Sequence, residues 1–307
     1  MHVTGIGQCS WDYLGVMDSY PYIDTKTEIH DWQEQGGGPV ATALVALARL
    51  GVSCSFHGIA GDDYQGEMIR ASLEAEGIDA KGLVTRRNSS SQLAFIAVEK
   101  QTGKRTIFWR RPTGKPLGQE EAVSLFQQGS DFLHLDGLMA DMSLCAAREA
   151  RKRSIPVMID ASRMRPGIIE IARASDYVVA SEQFARDIDP RWEDDENAFM
   201  GQLDLLGLAT VTVTLGPRGS VTFLDGKVLR IPGFEVEVAD TTGAGDVFHG
   251  GFIFGLLKGW HITDTIRFAS ALAALKCTRI GGRAGIPSLD QTLEFLAERG
   301  FPLNTGG

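Results

Sequence analysis

Asp240-Thr241-Thr242-Gly243-Ala244-Gly245-Asp246-Val247-Phe248-His249-Gly250-Gly251-Phe252 is the most informative stretch of the chain. A β-type run over residues 234–238 precedes it, and an apolar helical pattern over 244–258 follows. Gly243 and Gly245 remove side chains where an extended segment turns into a helix. Bare backbone N–H groups at a helix start make an anion site, and the helix dipole reinforces it. Asp246 is unexpected in that setting, because a carboxylate beside an anion site repels phosphate unless it takes part in chemistry. As a general base it would take a proton from an attacking hydroxyl, while the amides of residues 243–245 stabilise a transferring phosphoryl group. General-base catalysis contributes roughly 10²–10⁴-fold, and one anion-hole donor about 10²–10³-fold. The competing assignment is a helix cap, since aspartate is a favoured N-cap. His249, three residues further along, is expected to be a packed or hydrogen-bonded histidine.

Working outward, short apolar runs alternate with amphipathic helical patterns. Residues 3–7, 53–59, 131–135, 156–159, 177–180 and 210–215 read as buried strands. Residues 40–50, 65–76, 120–127, 142–153 and 196–206 read as helices. The C-terminal third adds helices over 263–277 and 289–299, and the tail from 303 to 307 is expected to fray. Strand–helix alternation of this kind predicts an α/β fold: a doubly wound, mainly parallel sheet with helices on both faces. Two stretches, about 13–35 and 83–111, break the rhythm and read as β-hairpin material, with runs at 93–98 and 106–109 around a turn at 101–104. One domain spanning 1–307 is expected, with these stretches as a small β lid that excludes water.

A second glycine segment, Gly36-Gly37-Gly38-Pro39-Val40-Ala41-Thr42-Ala43, opens a helix dense in small residues. Glycine lets a ligand approach the backbone, and Pro39 fits an early helical position. A tight turn before a close-packed helix explains the same residues. Gly5-x-Gly7-x-x-Ser10 lacks the third glycine of a dinucleotide fingerprint, and no P-loop occurs.

The 307 residues carry 30 Lys and Arg against 39 Asp and Glu, a formal charge of −9. An acidic surface repels polyanions, which argues against nucleic acid. No run reaches the roughly 18 apolar residues of a membrane span, and no signal peptide is recognised. Cys9, Cys54, Cys145 and Cys277 form no zinc-spaced cluster and read as reduced thiols in a cytoplasmic protein.

In this order and about 200 residues apart, the two glycine segments resemble the signatures of the ribokinase-like (PfkB) carbohydrate kinase family. The match runs through Asp240 to Asp246 and through Gly37-Gly38, Ala43 and Arg49-Leu50-Gly51. It departs at Thr42, where many members carry asparagine. The resemblance implies ATP-dependent, Mg²⁺-assisted phosphorylation of a hydroxyl on a small sugar. Asp246 then matches the catalytic base, and Gly243, Ala244 and Gly245 the anion hole. Asp12 matches an aspartate that accepts from sugar hydroxyls, with Gly37, Gly38 and Thr42 beside it. Thr214-Leu-Gly216-Pro-Arg-Gly219-Ser220 resembles the nucleotide loop, and Ala274 and Cys277 sit on the helix that flanks adenine in relatives. Ser181 and Phe184 stand where many relatives have an N-x-x-E pattern that organises Mg²⁺, with Glu182 nearby. Asp240, Thr242 and the 278–285 turn correspond to oxygens that hold a monovalent cation, K⁺, in some relatives.

Within the family, the segment from Trp32 to the glycines and Gly103-Lys-Arg-Thr-Ile107 resemble ketohexokinase, with Arg105 matching an arginine of the phosphate region. Asp246 to Gly250, Ala273 to Arg279 and Gly281 to Pro287 resemble sulfofructose kinase. That enzyme has an anion-binding arginine where this chain has Asp136-Gly-Leu-Met139, so Arg110 or Arg111 would have to compensate. The expected substrate is a ketose or its anionic derivative, such as sulfofructose or a fructose phosphate. A nucleoside kinase and a non-catalytic sugar sensor on the same fold are the alternatives; the lid hairpins offer edges that can pair across a two-fold axis into a homodimer, and the sequence leaves the oligomeric state open.

Overall fold

A computed structural model describes residues 1–122, 126 and 129–303. The helix expected over 120–127 is described from Gln119 to Ala122. Most of its remainder, and residues 304–307 of the tail, lie outside the described residues.

Nine described strands form the main sheet: β1 (His2–Ile6), β4 (Ser53–Gly61), β5 (Asp79–Arg86), β8 (Phe132–Leu135), β9 (Val157–Ala161), β10 (Tyr177–Ser181), β11 (Thr210–Thr214), β12 (Ser220–Leu224) and β13 (Lys227–Ile231). Their order is β13-β12-β11-β10-β9-β8-β1-β4-β5, with every pair from β11 to β5 parallel. The chain leaves β1 toward β4 and β5 on one side, then crosses to β8 and proceeds the other way. Ligand crevices of open α/β sheets form at such a reversal, outside the carboxyl ends of the strands.

Two apolar layers cover the sheet. One packs α1 (Pro39–Arg49), α8 (Ala244–Leu257), α9 (Ile262–Lys276) and α10 (Leu289–Glu298) against one face. The other packs α4 (Ala140–Lys152), α5 (Ile168–Arg173), α6 (Glu182–Ile188) and α7 (Glu196–Leu205) against the opposite face. Fully buried Phe252, Phe254 and Phe268 each contribute about 1.5–3 kcal/mol by leaving water. The α8 helix is apolar all round because the sheet, α1 and α9 surround it.

The two glycine segments pack on each other. A Cβ on Gly250 would lie 2.7 Å from the Ala43 carbonyl and 2.8 Å from the Ala46 methyl, so α8 and α1 meet almost backbone to backbone. The Gly5-x-Gly7 pattern has a packing origin too. A Cβ on Gly5 would strike Val40 at 2.6 Å, and one on Gly7 would strike Asp136 at 2.3 Å.

The lid is a four-stranded sheet of order β3-β2-β6-β7, built from β2 (Ser10–Met17), β3 (Asp31–Gly37), β6 (Leu93–Glu99) and β7 (Arg105–Arg110). It begins earlier than expected, at Ser10, and residues 83–86 belong instead to β5 at the edge of the main sheet. The run at 234–238 forms no strand, whereas β12 and β13 extend the sheet as an antiparallel hairpin that the sequence reading omitted.

Gly250→Val places branched carbons into the α1 backbone. Overpacking of this kind costs about 1–3 kcal/mol, so urea unfolding should show a lower midpoint with an unchanged m-value. An unshifted midpoint would show that the helix pair can separate freely.

Candidate active site

Strand alternation assigns the two faces of the lid. Residues two apart on a strand share a face, and directly paired residues share it across strands. Asp12, Leu14 and Val16 of β2 therefore share a face with Ala94, Ile96 and Val98, and with Arg105, Ile107 and Trp109 of β7. Leu14, Val16, Ala94, Ile96 and Val98 pack with Ile280, so this face is turned toward the main sheet. Tyr13, Phe95, Phe108 and Arg110 lie on the opposite face. Arg110 is thereby separated from Asp12 by the thickness of the lid, against expectation. Arg111 stacks over Trp109, with its guanidinium 5.0 Å from the ring centroid.

Asp12 is buried, and its Oδ1 accepts from Ser10 Oγ at 2.6 Å. Burial lifts its carboxyl to about 6, with Ser10 and Arg283 opposing. A Cβ on Gly37 would sit 2.0 Å from Asp12 Oδ2, so the bare glycine makes room for the carboxylate. On the other side of this strand, Arg283 donates to Gly37 O at 3.3 Å, Ser72 Oγ at 3.4 Å and Thr42 Oγ1 at 3.5 Å. Thr42 thus faces a buried guanidinium. Gly38 holds φ at 104° before Pro39, the first residue of α1.

The 240–246 turn lies near Asp12, whose charge acts on Asp246. Gly243, at φ 74°, is the residue before α8, and Asp246 falls within the first turn without capping the helix. This removes the cap assignment. Gly245 is exposed, and a side chain there would meet nothing within 4 Å, so open space lies before the helix start. Arg105 reaches across from the lid to Thr241 Oγ1 at 2.7 Å.

Asp246 is half-buried, and its carboxyl is pushed up to about 7 by loss of hydration and by the Asp160 charge, with His249 and Arg105 opposing. Asp160, at the carboxyl end of β9, is likewise raised by burial to about 7, with Arg165 opposing. Ligating atoms of Asp160, Asp246 and His249 lie within 4.8 Å of one another. Buried His249 approaches Val179 O at 3.4 Å, in keeping with a packed histidine. Asp136, after β8, accepts from Gln8 N at 2.7 Å and Leu138 N at 2.9 Å, and so binds the loops after β1 and β8 together.

The expected nucleotide segment follows β11. Residues Gly216–Arg218 form a 3-10 turn closed by Leu215 N to Gly219 O at 2.8 Å. Thr214 Oγ1 donates to Ala180 O at 3.1 Å, and Ser181 Oγ donates to Ser162 O at 2.6 Å. Ala274 lies half-buried on α9, and Cys277 follows at its end. Glu182, weighed as a metal ligand, is engaged by Arg186 and Arg218, which hold it below the usual carboxylate range. Sequence reading missed Asp160, Arg283 and Lys276. The first carries a signal, an acidic residue closing an apolar run at the carboxyl end of a parallel strand.

A model of the pfkB family carbohydrate kinases matches residues 2–289. The chain is 29% identical over 304 residues to a ribokinase of Haemophilus influenzae, covering 96% of this chain and 98% of that one. It is 28% identical over 302 residues to an ATP-dependent ribose-1-phosphate kinase of Halopiger xanaduensis, covering 97% and 99%. The crystal structure of a ribokinase from Thermotoga maritima superposes with a TM-score of 0.79 at 25% identity, covering 96% of this chain and 99% of that one.

Carbon-detected NMR of labelled aspartate should find a carboxyl titrating near 7 that disappears in Asp246→Asn. Asp160→Asn should move it downward, since a like charge is removed. Asp246 titrating in the ordinary range, below about 5, would contradict this electrostatic account.

Proposed function

The chain belongs to the pfkB family of carbohydrate kinases, and we propose that it transfers the terminal phosphoryl group of ATP to a hydroxyl of a ketose or an anionic ketose derivative. At the coarser level it is an ATP-dependent sugar or nucleoside kinase of the ribokinase family. The observation that carries the proposal is Asp246, a proton-seeking carboxylate that caps nothing and stands beside open space at the start of α8.

In this reading Asp12 accepts from substrate hydroxyls, as a carboxylate can from two at once. Asp246 takes the proton of the attacking hydroxyl. The amides of Gly243, Ala244 and Gly245, with the α8 dipole behind them, receive the charge on the phosphoryl oxygens. Arg105 braces Thr241 and adds positive charge from the lid. The Thr214–Gly219 segment, with Ser181, Ala274 and Cys277 nearby, takes the nucleotide.

Mg²⁺ prefers oxygen ligands and keeps several waters. Asp160 fits it better than Glu182, because its carboxylate faces Asp246 while Glu182 is held by two arginines. When bound, the ion neutralises phosphate charge. Asp240 does not fit a monovalent cation, because its carboxylate and main-chain oxygens are already engaged by donors, Thr242 among them.

Arg105 lies on the same face of the lid as Asp12. An anionic substituent would therefore be met by Arg105 rather than by Arg110. We also read the outer lid face as a homodimer contact. Tyr13, Trp32, Phe95 and Phe108 stack in sequence across it at 5.7, 6.0 and 6.2 Å between centroids. Trp32 and Phe108 are each 49% exposed, a large apolar area for a monomer to leave in water. Among the described residues no helix is long and apolar enough to cross a membrane. All four cysteines are free, in keeping with the cytoplasmic location we assign.

A coupled ADP-release assay with ATP and Mg²⁺ should show turnover of one member of a panel of fructose, its 1- and 6-phosphates, sulfofructose, ribose and adenosine. kcat/KM should fall as pH drops below about 7, because the base must be ionised. Asp246→Asn should retain sugar binding and lose at least about 10²-fold in kcat. Turnover of adenosine alone would favour a nucleoside kinase. Silence across the panel with sugar binding intact would favour a sensor. For assembly, light scattering should give a dimer for the native chain and a monomer for Phe108→Asp, and a native monomer would remove the lid contact.

A further inference from the structure

Lys276, at the end of α9, and Asp240, at the start of the anion-hole turn, are both fully buried. Lys276 Nζ donates to the main-chain oxygen of Asp240 at 2.9 Å. Asp240 Oδ1 accepts from Thr242 N at 2.8 Å and Thr242 Oγ1 at 2.7 Å, and Oδ2 accepts from Gly281 N at 2.9 Å. The N–H groups of Ala239 and Asp240 donate to Cys277 O at 2.9 and 3.2 Å. Each described oxygen of Asp240 thus faces a donor. Burial lowers the ammonium's affinity for its proton, and the Asp240 charge opposes that shift.

A bound K⁺ needs several oxygens converging on one point, and here the three oxygens of Asp240 are turned to N–H and O–H donors and an ammonium. A second positive charge beside Lys276 would be unsupported in a dry pocket, where an unpaired charge is costly. We propose that Lys276 is a built-in cation. Its ammonium, held by the chain, fixes the Asp240–Gly243 turn and supplies the positive charge that a monovalent ion would otherwise bring. A tethered charge loses no translational freedom on taking its place, so its occupancy is independent of salt. Lys276 lies one residue from Cys277, whose carbonyl accepts from Ala239 and Asp240, so ammonium and carbonyl both hold Asp240. Lys276 is a positioning residue, because it acts on the anion hole through the turn. The inference rests on the kinase reading for its catalytic consequence, but not for its statement about ion binding.

The test compares KCl with tetramethylammonium chloride at equal ionic strength. For the native chain we expect the same melting temperature in both salts, no heat from K⁺ in a calorimetric titration, and kcat values within about twofold, well below the roughly 10²-fold that a displaced anion hole costs. A rise in melting temperature with K⁺, or a kcat several-fold higher, would overturn the proposal. The melting and calorimetric measurements decide the point even if the sugar panel is silent, so failure of the kinase reading and failure of this one are distinguishable. Lys276→Ala, which opens space for an ion, should lose about 10²-fold in kcat and regain part of it with K⁺ or ethylammonium, with a melting temperature that now depends on K⁺. Lys276→Met keeps the volume without the charge and should lose kcat without rescue. Native kcat in Lys276→Met would overturn the proposal.

Discussion

The backbone turn from Asp240 to Gly243 can offer free N–H groups to a ligand only if its other polar groups are satisfied by protein. Buried backbone donors and acceptors left without partners cost free energy comparable to a lost hydrogen bond. Here the partners come from far along the chain: Gly281 and Cys277 from beyond α9, Lys276 from its last turn, and Arg105 and Gly103 from the lid. The C-terminal third and the β6–β7 hairpin are therefore organised around a few residues, and the order of the anion hole depends on elements distant from it in sequence.

The lid shows how one strand can serve two purposes. On β2, Asp12 shares the buried face with Leu14 and Val16 while Tyr13, its neighbour, joins the aromatic row on the outside. A one-residue slip in register would exchange these roles along the strand. The β2–β6 pairing is parallel and the β6–β7 pairing antiparallel. Together they fix the faces on which Arg105 and Arg110 fall, so register decides which arginine is in reach of the chemistry.

The legible parts of the sequence were the local ones. Glycines at a strand-to-helix turn, proline at the start of α1 and alternating apolar runs each leave a mark within about ten residues of sequence, and from them came the fold class, the two glycine segments and Asp246. Arg110 was misplaced because its face depends on pairing with Leu93, which no local pattern encodes. The β12–β13 hairpin did carry a local signal, Asp225-Gly226 between two apolar runs, with φ values of 49° and 69° that suit a tight hairpin turn. The alternating run at 234–238 reads as a strand but finds no ladder, since period-two patterning reports exposure on one side and not a hydrogen-bonded partner. Lys276 and Arg283 were invisible because a charge in an apolar stretch is ordinarily exposed, and only long-range packing shows that they are enclosed.

The buried acids around the cleft can be told apart by what the fold provides for each. Asp240 has three N–H or O–H donors on its carboxylate and an ammonium at its carbonyl. Asp136 has two backbone donors. Asp12 has Ser10 and the Arg283 charge, and Asp160 has Arg165 in its field. Asp246 accepts no hydrogen bond from the described residues to support its charge, and the neighbour that perturbs it most is another carboxylate, Asp160. Burial raises Asp12, Asp136, Asp160 and Asp246 alike, so what sets Asp246 apart is its place in the first turn of α8, beside open space. It sits at the helix N-terminus, where a phosphoryl group would be received. A structural carboxylate gains nothing from that arrangement, whereas a base that must take up a proton during the reaction requires it.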